Sequence, residues 1–142
     1  MEDVVKDAIS LGLDEICFTD HVDYPRYAAE NDALKEKYKD QITLKMGMEF
    51  GMQSHTIPQY EKLYSAWPFD FIILSVHQVE DREFWTQDFQ RGRTQEEYNL
   101  RYYEEMLALV QRYHNYSVLG HMDLITRYDK AGIFPFEIIR PI

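Results

Sequence analysis

A chain of 142 residues has the length of one domain, and 45% hydrophobic residues with 15% aromatics can fill a packed core. The 25 acidic against 15 basic side chains leave a formal charge of −10, which excludes nucleic acid or an anionic membrane as the main partner. A lone cysteine, Cys17, excludes an internal disulfide and suits a cytoplasmic setting. No apolar run nears the ~20 residues of a bilayer span, and Met1–Lys6 lacks the basic-then-apolar pattern of a signal peptide.

Residues 2–12 read as a helix, with Val4, Val5, Ala8, Ile9 and Leu11 apolar and Gly12 as its stop. The run 15–19 reads as a strand that leads into Asp20-His21. Residues 27–39, rich in Ala, Glu and Lys, predict a solvent-facing helix. A strand over 42–48 leads into Glu49, and Gly51 marks the turn beyond it. Pro58 opens a helix near 58–66, with Leu63 and Trp67 facing inward. The run 70–76 is short, apolar and β-branched, and predicts a strand buried on both faces that ends at His77.

The long loop 77–92 carries Arg82, Phe84, Trp85 and Arg91 and is either a substrate cover or a packed surface flap. Thr94 caps the next helix, with Glu97 completing a capping box. Leu100, Tyr103, Leu107 and Val110 form a core-facing stripe along it. Residues 116–120 predict a strand leading into His121, and 136–142 the first turns of another helix. Repeated strand, loop and helix define an α/β chain of about four parallel strands with flanking helices. Nothing divides it, so 1–142 reads as a single domain.

Four strands thus end in His21, Glu49, His77 and His121, all delivered to one edge of one sheet. Imidazole and carboxylate at that edge are ligands for a divalent cation such as Zn, Mn or Fe. A carboxylate can bridge two cations, and two cations can hold a hydroxide nucleophile and clamp phosphoryl oxygens. Asp20 and Asp123 could orient ligand histidines from behind, or bond to backbone. Arg127 could take a phosphate bidentately, or pair with Asp129 or Glu137. His55 is a more distant candidate for the same site, and His114 suits a helix carboxyl end.

Phe18-Thr19-Asp20-His21, Gly47-Met48-Glu49-Phe50-Gly51, Ser75-Val76-His77-Gln78 and Gly120-His121-Met122-Asp123-Leu124 together resemble the PHP (polymerase and histidinol phosphatase) family. Phe84–Phe89 and Tyr102–Met106 resemble its bacterial histidinol-phosphatase branch. The resemblance implies part of a distorted (β/α)7 TIM-like barrel with up to three metal ions at the strand ends. It places His21, Glu49, His77 and His121 on metal-ligand positions, with Glu49 bridging and Glu49 and His77 in the reacting centre. It places Arg127 on a phosphate-contacting position. The implied activity is a metal-dependent phosphomonoesterase of histidine biosynthesis, converting L-histidinol phosphate and water to L-histidinol and phosphate. Its partner is then a small-molecule phosphomonoester.

The family's first-strand His-x-His motif and its late Asp-x-His motif have no counterpart between Met1 and Ile142. A barrel of this kind needs on the order of 250 residues, so the expectation is an internal portion of the domain. The rival reading is a catalytically silent module that binds metal weakly or associates with a second copy.

Overall fold

The computed structural model describes residues 1–20 and 24–140. His21, a predicted metal ligand, lies outside the described residues. Along the chain run α1 (Glu2–Ser10), β1 (Glu15–Phe18), α2 (Tyr24–Tyr38), β2 (Thr43–Gly51), α3 (Ile57–Ala66) and β3 (Phe71–Ser75). Then come β4 (Gln78–Val79), β5 (Arg82–Glu83), α4 (Gln95–Arg112), β6 (Val118–Leu119) and α5 (Phe136–Ile139). Short 3-10 turns sit at Ser54–Thr56 and Leu124–Tyr128.

The strands β1, β2, β3 and β6 pair in that order, all parallel, as the βα pattern predicts. Ile16 pairs with Leu44, Glu49 with Ile73, and Leu74 with Leu119. Side chains alternate across a strand, so Leu44, Met46, Met48 and Phe50 go into the core on one face of β2. Glu49 then points to the other face. The same parity sends Ile72, Leu74 and Val76 into the core. It also corrects the expectation for this strand: Phe71 is 37% exposed and Ile73 half-buried, so β3 is fully covered on one face alone.

Helix α1 buries Val5 and Ala8 against Leu34, Tyr38, Ile42 and Leu44. It stops where Gly12 takes a left-handed φ of +74°. Helix α2 begins three residues before the predicted 27, with Pro25 tolerated in its first turn. It is not uniformly solvent-facing, because Tyr27, Ala28, Asn31, Leu34 and Tyr38 make a buried stripe. The Tyr27 hydroxyl lies 2.6 Å from the Phe18 carbonyl and 2.9 Å from that of Gly47, tying α2 to the end of β1 and the middle of β2.

The capping box of α4 is present: Thr94 N–H donates to Glu97 Oε2 at 2.7 Å, and Glu97 N–H to Thr94 Oγ1 at 3.3 Å. Its buried stripe is rotated from the predicted one. Tyr98, Tyr102, Glu105, Met106 and Leu109 face the core, whereas Leu100, Tyr103, Leu107 and Val110 are only half-buried. Burial would lift the Glu105 carboxyl, but the Ser54 N–H at 2.6 Å and Arg101 at 2.9 Å outweigh it and hold it below its ordinary 4.5. A carboxylate so satisfied can occupy a core position. Tyr103, Leu107 and Val110 of the displaced stripe line an apolar groove of about 500 Å³ with Met122, Phe136 and Ile139.

The region 77–92 is not an open loop. Strands β4 and β5 form an antiparallel hairpin, pairing Gln78 with Glu83 and Val79 with Arg82. Phe84 and Phe89 then anchor the segment, buried against each other and Tyr102.

Candidate metal centre

The strand β2 carries Glu49 near its carboxyl end, β3 hands on to His77, and β6 to His121. Two glycines make the approach feasible. A Cβ at Gly51 would lie 2.6 Å from His77 Nδ1, so only glycine leaves the imidazole its place. A Cβ at Gly120 would collide with the Ser75 hydroxyl, so its absence lets the segment before His121 lie against β3. Behind His121, the Tyr102 hydroxyl donates to the His121 carbonyl at 3.2 Å. Burial pushes that phenol's pKa upward, which keeps the donor protonated.

The three donors converge. His77 Nε2 is 2.9 Å from Glu49 Oε1, His121 Nε2 is 3.1 Å from the same oxygen, and the two Nε2 atoms are 3.3 Å apart. A tetrahedral ion with bonds of about 2.0–2.1 Å holds its donors roughly 3.3 Å apart. The observed triangle is that size to within a few tenths of an ångström. Two imidazole nitrogens facing each other and one carboxylate oxygen are satisfied together by a central cation. The donor set therefore fits a divalent metal, and these are the residues that could hold one. The side chains of His77, His121 and Glu49 are 32%, 31% and 17% exposed, open enough for a ligand to reach.

The three donors form one side of a cavity of about 470 Å³. Arg127 and Tyr128 enter it from the Leu124–Tyr128 turn, and Gln78, Glu83 and Trp85 from the hairpin region. The alternative partners foreseen for Arg127 are engaged elsewhere. Glu137 pairs with Arg140 at 3.6 Å. Asp129 accepts from Tyr98 Oη at 2.6 Å, Ala131 N–H at 2.9 Å, Gln95 at 3.0 Å and Asn99 at 3.2 Å. Burial would raise the Asp129 carboxyl, but these donors prevail and hold it below its ordinary 3.8. Asp129 thereby fastens the turn bearing Arg127 to α4. The guanidinium itself is exposed, with no ion-pair partner among the described residues.

Asp20 is exposed just beyond the end of β1, and the histidine it is expected to orient, His21, lies outside the described residues. The remaining expected residues fall elsewhere. Asp123 lines the apolar groove with Tyr103 and is not among the residues lining this cavity. His55 contacts Asp81 at 3.1 Å and is not in the donor cluster. His114 sits at the opposite end of β3, in a small cavity with Asp70, Phe71 and Tyr116. Arg91 pairs with Asp88 at 2.9 Å. Gln78, Glu83 and Tyr128 were not foreseen. The signal for the first two is their pairing across the hairpin, which an Asn-Gly turn would have announced and Glu80-Asp81 did not.

A parallel α/β sheet whose carboxyl ends bring imidazoles and a carboxylate around one point is a metal-site architecture. The chain belongs to the PHP domain family, whose model matches residues 1–139. A curated histidinol-phosphatase from Lactococcus lactis subsp. lactis is 34% identical to it over 97% of this chain and 60% of its own length. A crystal structure of histidinol phosphate phosphatase from the same organism, complexed with zinc, L-histidinol and phosphate, aligns with a TM-score of 0.86 at 32% identity. It covers 98% of this chain and 58% of the other. A structure from Listeria monocytogenes, 16% identical with a TM-score of 0.73 over 98% of this chain and 68% of that one, shares the fold alone. The chain thus spans about 60% of the length of the Lactococcus relative. No helix among the described residues is long and apolar enough to cross a membrane.

Proposed function

We propose that residues 1–142 form part of a PHP domain that hydrolyses a phosphomonoester, with L-histidinol phosphate as substrate and a cytoplasmic setting. The observation that carries this is the convergence of Glu49, His77 and His121 in the same cavity as Arg127, an arginine with no ion-pair partner among the described residues. Glu49, His77 and His121 would hold a divalent cation, and the family resemblance adds His21 to the expected ligands. A cation there supplies Lewis acidity toward phosphoryl oxygens and lowers the pKa of water toward neutrality. Arg127 takes the remaining phosphoryl oxygens through its planar fork and fixes the ester's orientation.

The hairpin side of the cavity has the opposite character. The Glu83 carboxylate accepts from Trp85 Nε1 at 2.5 Å and is exposed, so carboxylate and indole form one unit. That unit suits the ammonium and imidazole of an amino alcohol, by charge and by cation–π contact. Phosphate toward the metal and Arg127, and nitrogen toward Glu83 and Trp85, give the substrate a single sense of binding.

The test is direct. Purified chain supplied with Zn²⁺ or Mn²⁺ should bind the metal stoichiometrically and release phosphate from L-histidinol phosphate. Glu49→Gln should abolish both. Turnover unchanged by that substitution, or a chain that binds neither ion, overturns the reading.

A further inference from the structure

The β4–β5 hairpin turns through Glu80 and Asp81, both left-handed at φ values of +57° and +56°. A two-residue hairpin loop of this kind needs positive φ at both places, and Asn-Gly adopts it most readily. Glutamate adopts it reluctantly, and aspartate less readily than glycine. Their side chains explain why they stand there. Gln53 Nε2 donates to Asp81 Oδ1 at 2.8 Å, and the Asp81 N–H donates to Gln53 Oε1 at 2.9 Å. Gln53 is 1% exposed, and its own N–H donates to Thr56 Oγ1 at 2.9 Å. Glu80 accepts from Arg93 at 2.5 Å and Arg101 at 3.2 Å. Arg101 also grips Glu105, which accepts the Ser54 N–H.

These anchors lead to two places. One is residues 53–54, two residues past the strand that carries Glu49; the other is α4 together with Arg93, just before its cap. The hairpin they hold begins one residue after His77 and presents Gln78 and Glu83, paired across the ribbon, to the cavity. We propose that Gln53 is a positioning residue: through Asp81, and aided by the grip on Glu80, it locks the hairpin to the end of β2, so that the wall bearing Glu83 and Trp85 keeps a fixed place relative to Glu49 and His77. This rests on the phosphomonoesterase reading for its kinetic readout but not for its structural one.

The discriminating variant replaces Glu80→Asn together with Asp81→Gly. It keeps the best local turn and deletes the side-chain anchors, so a role confined to forming the turn would be preserved. Gln53→Ala and Gln53→Glu are made beside it, the latter setting one carboxylate against another. The expected results are tryptic cleavage after Arg82 accelerated roughly tenfold, and KM for L-histidinol phosphate raised roughly tenfold with kcat within about twofold. Bound zinc should equal that of the parent chain. Unchanged cleavage in the Asn-Gly variant overturns the lock. Accelerated cleavage with unchanged KM overturns the positioning role. If the parent chain itself turns over no substrate, the phosphatase reading has failed, and the proteolysis still decides the lock.

Discussion

Gly51→Ala separates the metal centre from the fold more cleanly than removing a ligand does. The new Cβ would lie 2.6 Å from His77 Nδ1 where ordinary contact begins at 3.4 Å, so the ring must retreat by about 0.8 Å. Metal–ligand distances tolerate about 0.2 Å, so the retreat takes His77 out of bonding range of an ion held by Glu49 and His121. Zinc affinity should fall roughly 10- to 100-fold. Each tenfold loss removes about 1.4 kcal/mol of zinc-linked stability at fixed free zinc. Gly51 lies in extended backbone without a positive φ, so the strain alanine adds to the metal-free chain is confined to the displacement of the His77 ring, and the backbone itself accepts the substitution. Chelator-competition titration and thermal unfolding with and without Zn²⁺ measure both quantities. A variant with parental zinc affinity would refute the argument that His77 needs the space over Gly51.

Arg127→Ala should cut kcat/KM for the phosphate ester by the worth of a charged hydrogen bond, about 1.5–3 kcal/mol, with bound zinc unaltered; lysine should restore part, and equal kinetics would remove Arg127 from the site. Leu74→Ala, at a fully buried position of β3, should cost about 2–5 kcal/mol in urea unfolding. Acid should loosen the fold through Glu105, Asp129 and Glu80, whose carboxyls are held below their ordinary values. The unfolded chain takes up protons there first, so this stability is complete above about pH 5 and is lost as pH falls through the folded values. Unfolding free energies that stay flat from about pH 6 to pH 3 would contradict it.

What could be read from the sequence was what local rules or parity decide. Thr94 and Glu97 lie three residues apart, and their box followed from spacing alone. The strand ends were legible because βα repeats put successive carboxyl ends on one side, and Glu49, His77 and His121 do meet there. The hairpin was hidden because its turn is held by Gln53, Arg93 and Arg101, none of them adjacent to it. The stripe of α4 was misplaced because periodicity ranks Glu105 as a surface residue, whereas Ser54, 51 residues away in the chain, satisfies it in the core. Tertiary partners of that kind leave no periodic trace.

The alternation along β2 has an evolutionary consequence. Met48 and Phe50 fill the core and Glu49 faces outward between them, so one two-residue period writes both the packing and the chemistry. An inserted or deleted codon upstream within this strand would trade the carboxylate for a methionine or phenylalanine and drive the acid into the interior. Drift in this segment is therefore confined to substitution, and length changes must find room in the connections on either side.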